Sequence, residues 1–197
     1  NWYAEANLDY NRRIGKHNIG ALLLYNQSKT YYPWDSDGSI YQSIPKGYVG
    51  LVGRVTYDYD TKYLLDFNIG YNGSENFAPG KRYGLFPSVS LGWVISEEKW
   101  MEKAGWIDYL KLRASVGKVG NDLGTSTRFM YMNSVWDEAG SYSFGVNNPN
   151  GLPYYTTGTP GNLGVTWETA LKYNVGLDFD IFNNRLHFSG DLFKEHR

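Results

Sequence analysis

The residues of this chain that could perform covalent chemistry are few. Four carboxylates, Asp66, Asp178, Asp180 and Glu168, stand in segments where apolar and polar residues alternate. Two of them flanking one glycosidic bond at a defined separation would make a glycosidase pair. Alternating strands scatter polar groups along a wall instead of focusing them, so the expectation is a hydrated surface and no enzyme. The histidines His17, His187 and His196 have no partner four residues away, and the chain contains no cysteine. A zinc site therefore lacks support, and neither metal nor cofactor is expected. The stretch Gly117-Lys118-Val119-Gly120-Asn121 lacks the Gly-Lys-Ser/Thr ending of a phosphate-binding loop.

Recognition is the other chemistry on offer. Residues 121–166 combine Tyr131, Trp136, Tyr142, Phe144, Tyr154 and Tyr155 with Asp137, Glu138, Asn147, Asn148 and Asn150. Aromatic faces beside amides and carboxylates suit sugar rings, and they suit a protein lid equally well. The same side chains can also pack a long loop onto its own scaffold. A second such stretch carries Tyr31, Tyr32, Trp34 and Asp35. Trp34, Tyr131, Trp136, Tyr154 and Tyr155 are the candidate contacts with a substrate or a lid.

These candidates need elements to position them, and the elements are written in a period of two. Over 171–181 the odd positions are Leu171, Tyr173, Val175, Leu177, Phe179 and Ile181, and the even ones Lys172, Asn174, Gly176, Asp178 and Asp180. Asn183-Asn184 suits a two-residue hairpin with positive φ. That register sets Ile181 opposite Leu186, Phe179 opposite Phe188, Asp180 opposite His187 and Asp178 opposite Ser189, so both faces continue across the turn. Val49, Leu51, Val55, Tyr57 and Tyr59 lead likewise through a three-residue loop, 60–62, into Tyr63, Leu65, Phe67, Ile69 and Tyr71, with Val52 and Leu64 as apolar exceptions on the polar face. Weaker alternation over 2–10, 19–25, 88–95 and 110–117 brings the total to eight strands, each about ten residues long, the length a tilted strand needs to cross a bilayer.

The connections sort into two kinds. Short ones at 11–16, 60–62 and 183–184 alternate with long ones at 28–47, 73–85 and 121–166, as expected when one rim faces the periplasm and the other the outside. A medium connection on the short side, 96–108, reads as a helical turn with Ser96 as N-cap, Glu97 and Glu98 in the first turn and Gly105 as the stop. Tyr57, Tyr59 and Tyr63 flank a short turn, and Tyr71 lies roughly 20 Å further along the membrane normal, so two aromatic girdles would bracket the apolar band.

Composition agrees and excludes other classes. Tyr (18), Trp (7), Phe (9) and Gly (23) are abundant, which favours β structure with many turns. A net charge of -1 and no basic run longer than two residues argue against nucleic acid as a partner. No run of 18 apolar residues exists, which excludes a helical membrane protein, while the mean hydropathy of -0.49 is compatible with strands wet on one face. The absence of cysteine excludes a disulfide scaffold and leaves the redox compartment open. Starting at Asn1 and stopping at Arg197 without a turn signal, the sequence reads as a piece of a longer chain.

Three stretches resemble the barrel of SusC/RagA-type TonB-dependent outer-membrane transporters. They are Arg82-Tyr83-Gly84-Leu85-Phe86-Pro87-Ser88-Val89-Ser90-Leu91-Gly92-Trp93 followed by Ile95-Ser96-Glu97-Glu98, then Leu110-Lys111-Leu112-Arg113-Ala114-Ser115-Val116-Gly117 with Gly120-Asn121, and Trp167-Glu168-Thr169 leading to Phe182-Asn183-Asn184-Arg185-Leu186. The resemblance implies a 22-stranded barrel in the outer membrane of a Gram-negative bacterium, of which residues 1–197 are a partial, eight-stranded, all-β antiparallel segment. It also implies an N-terminal plug, absent from this chain, a SusD-like surface lipoprotein as lid, and TonB-driven import of an oligosaccharide or a peptide. The alternative from the residues alone is a soluble surface-exposed β-sheet protein that binds carbohydrate without transporting it.

Overall fold

The computed structural model describes residues 1–31, 44–101, 105–122, 128–132, 136–143, 151–158 and 160–197. Eight strands form one antiparallel sheet: β1 (Trp2–Ile14), β2 (His17–Thr30), β3 (Lys46–Tyr59), β4 (Tyr63–Ser74), β5 (Tyr83–Val94), β6 (Ile107–Asn121), β9 (Glu168–Ile181) and β10 (Leu186–His196). Their spatial order follows the chain, β1-β2-β3-β4-β5-β6-β9-β10. The remaining strands, β7 (Trp136–Tyr142) and β8 (Leu152–Thr157), form a separate hairpin inside the long connection from β6 to β9.

The register follows the side-chain alternation. Ile181 pairs with Leu186, Phe179 with Phe188, Asp180 with His187 and Asp178 with Ser189. Tyr59 pairs with Tyr63 across the three-residue loop, whose Asp60 and Thr61 are left-handed and whose Lys62 N–H donates to the Tyr59 carbonyl. One cross-sheet row runs Val55, Phe67, Val89, Val116, and the neighbouring row runs Thr56, Asp66, Ser90, Ser115. A slip of one residue on any strand would exchange these two sets.

Several expectations are corrected. The main strands run 11 to 15 residues, longer than the expected ten, so they extend past the alternating cores; two long connections shrink to 31–45 and 75–82, and the third is 122–167, as long as expected. The β1–β2 connection is only 15–16, with Gly15 at φ 60°, because the ladder continues through Arg12, Arg13 and Ile14. The β9–β10 turn is not a two-residue turn. Phe182, Asn183 and Asn184 are all left-handed, the Arg185 N–H closes the turn on the Ile181 carbonyl, and Asp108 accepts the Asn184 N–H at 2.9 Å. Ser96 is no N-cap: the 95–97 segment is one 3-10 turn entered from Val94 with no side-chain cap, since the extended strand leads straight into it.

The two faces differ as the alternation requires. Leu51, Val55, Leu65, Phe67, Leu91, Leu112 and Val175 stand exposed on one face, and among the described residues no second layer covers them. Aromatic clusters bound that face. At the short-turn rim His17 Nδ1 lies 2.8 Å from the Tyr57 hydroxyl, and Tyr59 stacks on Tyr63 at 6.3 Å. Towards the other rim Tyr71 and Tyr83 stack at 5.1 Å. An uncovered apolar band between two aromatic girdles is the outer surface of a transmembrane barrel; in a soluble sandwich a second sheet would cover it.

Candidate functional site

The polar face is a wall of paired charges. Arg54 grips Asp66 with Nε 3.1 Å from both carboxylate oxygens. Arg113 on β6 reaches Asp178 on β9 at 3.1 Å and Asp191 on β10 at 2.7 Å, and Ser189 donates to Asp178 at 2.6 Å. His187 contacts Asp180, and Asn121 donates to Glu168 at 3.3 Å. Each of the four carboxylates that could have formed a glycosidase pair is thus engaged by a neighbour on an adjacent strand. Near the short-turn rim this face lines an open concavity of about 670 Å³, with Asn18, Thr56, Asp58, Asp66, Lys111 and Arg113 among its lining residues. Among the described residues no group of three His, Asp or Glu side chains is placed to hold a metal ion.

The tightest packing lies at the opposite, long-loop end. Among the described residues the buried apolar side chains are Phe77, Ala78, Val94, Phe129, Trp167 and Ala170, and all but Val94 sit at this end. Trp167 packs on Phe77 at 5.4 Å and edge-on against Phe86 at 5.1 Å, and its indole N–H donates to the Arg82 carbonyl at 3.1 Å. Phe86 shares the polar face with Ser88 and Ser90, and its ring lies where a side chain at position 120 would project, so Gly120 makes the room. Polar bonds tie the outer connections together. The buried Ser74 hydroxyl donates to Asp122 at 2.7 Å, Glu75 accepts the Gly47 N–H at 3.0 Å, and Arg128 donates to the Ile44 carbonyl at 2.8 Å. Residues 44–47, 74–82, 122, 128–132 and 162–167 are therefore bonded into one platform at this end of the polar wall.

Of the five candidate contact residues, the three whose side chains are described, Tyr131, Tyr154 and Tyr155, lie in different places. Trp34 lies outside the described residues. Tyr131 belongs to the platform, half-buried and edge-on to Phe129 at 6.2 Å. Trp136 opens β7, paired with Thr157. Tyr154 and Tyr155 are exposed neighbours on β8, so they point to opposite faces of the β7–β8 hairpin, Tyr154 across from Gly140 and Tyr155 across from Glu138. Sequence reasoning missed Phe77, Phe86, Phe129 and Trp167. The available signal was Phe86 itself, an aromatic on the polar face of an alternating strand with glycines at 84 and 120 around it.

Comparison with known proteins places this architecture. No model of a known protein family matches the chain. The TonB-dependent receptor P39 of Formosa agariphila is 37% identical over 144 residues, covering 73% of this chain and 13% of that protein. The TonB-dependent receptor SusC of Bacteroides thetaiotaomicron is 33% identical over 141 residues, covering 70% of this chain and 14% of that protein. The chain is a barrel segment of the SusC/RagA type of TonB-dependent receptor. Among solved structures, that of the RagAB peptide transporter superposes with a TM-score of 0.75 at 21% identity, covering 98% of this chain and 23% of that one. The receptor segment spans about a seventh of the two curated relatives' length, so its sheet is one arc of a larger barrel.

Proposed function

We propose that this segment forms part of the wall and outer mouth of a TonB-dependent importer in the outer membrane of a Gram-negative bacterium. The importer takes up an oligosaccharide or a peptide, with a SusD-like lipoprotein seated at the mouth and energy supplied through TonB by regions outside residues 1–197. The observation that carries this reading is the uncovered apolar band, bounded by the His17–Tyr57–Tyr59–Tyr63 and Tyr71–Tyr83 girdles and backed by a polar wall of paired charges. The family resemblance read from the sequence admits either cargo, and the likeness to RagAB, named a peptide transporter, supports a peptide. An observation on the lumen wall favours the second cargo: Leu24, Val52 and Phe86 fall on one cross-sheet row with Gly70, an apolar stripe suited to peptide side chains. Competitive uptake of labelled oligosaccharides and oligopeptides by cells bearing the whole receptor decides between them, and transport of neither overturns the importer reading.

The aromatic residues of the β7–β8 hairpin are assigned to the lid or the cargo. An isolated two-stranded hairpin is marginal in water, and this one exposes Tyr142, Leu152, Tyr154 and Tyr155. Replacing Trp136, Tyr154 and Tyr155 together by alanine is expected to weaken complex formation by roughly 1 to 2 kcal/mol per engaged ring, while the barrel assembles normally. Co-purification of the lipoprotein and substrate uptake by the triple variant measure this. Unchanged values for both remove these residues from the mouth's contact surface.

A further inference from the structure

The connection between β5 and β6 leaves the sheet at the short-turn rim, and one side chain decides where it goes. Glu98 Oε1 accepts the Tyr63 hydroxyl at 2.7 Å and the Trp93 indole N–H at 3.2 Å. Tyr63 and Trp93 are a cross-strand pair on the apolar face, both exposed. A residue of the connection is therefore drawn onto the lipid-facing side of the rim instead of hanging below the barrel. The backbone secures it there: the Glu98 N–H donates to the Ile95 carbonyl at 3.0 Å, the Met101 N–H to the Glu98 carbonyl at 2.8 Å, and the Val94 N–H to the Lys62 carbonyl at 2.8 Å. Donation from Tyr63 and then Trp93, with the charge of Lys62 nearby, holds the Glu98 carboxyl below its ordinary range, so it remains a charged acceptor.

Two residues beyond this clamp, the Trp100 indole is 61% exposed, among the most exposed of the large apolar side chains. Indole combines an apolar body with a polar N–H and concentrates at the boundary between hydrocarbon and headgroups. Lysines flank the clamp at 62 and 99, a charge pattern that complements lipid phosphates. We propose that residues 95–101 are an interfacial anchor, held on the lipid-facing rim by Glu98, whose Trp100 inserts among phospholipid headgroups of the periplasmic leaflet. The occupant is lipid because the surface that Glu98 grips is continuous with the apolar band. The proposal rests on the membrane reading, and its test separates the two.

This chain has no cysteine, so single reporter sites are simple to place. The whole receptor, freed of any cysteine elsewhere, is reconstituted in phosphatidylcholine nanodiscs with an NBD label at Trp100→Cys. Separate receptors carry the label at Phe67→Cys, in the middle of the apolar band, and at Lys16→Cys, on a short turn. Lipids brominated near the headgroup should quench position 100 at least twofold more than lipids brominated near the chain ends. Position 67 should show the reverse order and position 16 neither effect. A label at Lys99→Cys, which leaves the indole in place, should repeat the shallow pattern. Adding Glu98→Ala should at least halve the lipid quenching at 100 and raise its access to aqueous iodide. Iodide quenching at 100 as strong as at 16, without lipid quenching, overturns the anchor, and quenching unaffected by Glu98→Ala overturns the clamp. Loss of lipid quenching at 67 is instead the failure of the membrane reading.

Discussion

Trp167→Ala is expected to destabilise the outer platform by about 3 to 5 kcal/mol, the range for removing a large aromatic from a packed site. The indole is 8% exposed, packs on Phe77 and Phe86, and satisfies the Arg82 carbonyl. Its loss removes the ring that joins the β4–β5 connection to the start of β9. Trp167→Phe, which keeps a ring and loses the hydrogen bond, should cost about 1 to 2 kcal/mol. Urea unfolding of the whole receptor in detergent measures both values. Hydrogen exchange adds the location: protection should fall at 74–82 and 128–132 while the β3–β4 ladder keeps its own. Uniform loss of protection across the sheet would contradict a locally built core.

Phe67→Arg tests the opposite end of the argument. Phe67 lies on the lipid-facing row with Val55 and Val89, four residues from Tyr63 and four from Tyr71, and is 41% exposed. Arginine at the middle of the hydrocarbon should cost about 2 to 4 kcal/mol in reversible unfolding from phospholipid vesicles. Asn68→Arg, one residue away on the polar wall, should be close to neutral. Equal costs at the two sites would reject the assignment of faces.

What the sequence made legible follows from how local each signal is. The register of β9 with β10 could be read because six alternating apolar positions leave a single pairing that keeps both faces continuous. The three-residue loop between Tyr59 and Tyr63 could be read for the same reason. The turn at 182–185 was harder, because dipeptide preference points to Asn183 and Asn184, whereas the Asp108 carboxylate and the Trp106 carbonyl, both far away in sequence, hold it in a wider form. Ser96 looked like a helix cap because its neighbours are acidic, yet Glu98 is committed to Tyr63 and Trp93 and leaves no helix to cap. The platform was the least legible part. Its members come from four separated segments, and each alone resembles an ordinary loop residue or an exception to alternation. For the candidate site, the hairpin that carries Trp136, Tyr154 and Tyr155 lies inside a connection that offers no alternation of its own, so composition could flag its aromatics without showing that Tyr154 and Tyr155 point apart.

The strand order has a kinetic consequence. Among the connections between neighbouring strands of the sheet, the one from β6 to β9, residues 122–167, is by far the longest, about three times the next, 31–45. Closing that loop costs about 2 kcal/mol more chain entropy than closing 60–62, so β1 to β6 and the β9–β10 hairpin should form as two separate local units that join late. Trp167 precedes the first residue of β9, so the docking of these units and the completion of the outer platform are one event. Pulsed hydrogen exchange during refolding should find protection at Ala170 and at the Asn76–Asp122 contact arising together, after the β3–β4 ladder is already closed.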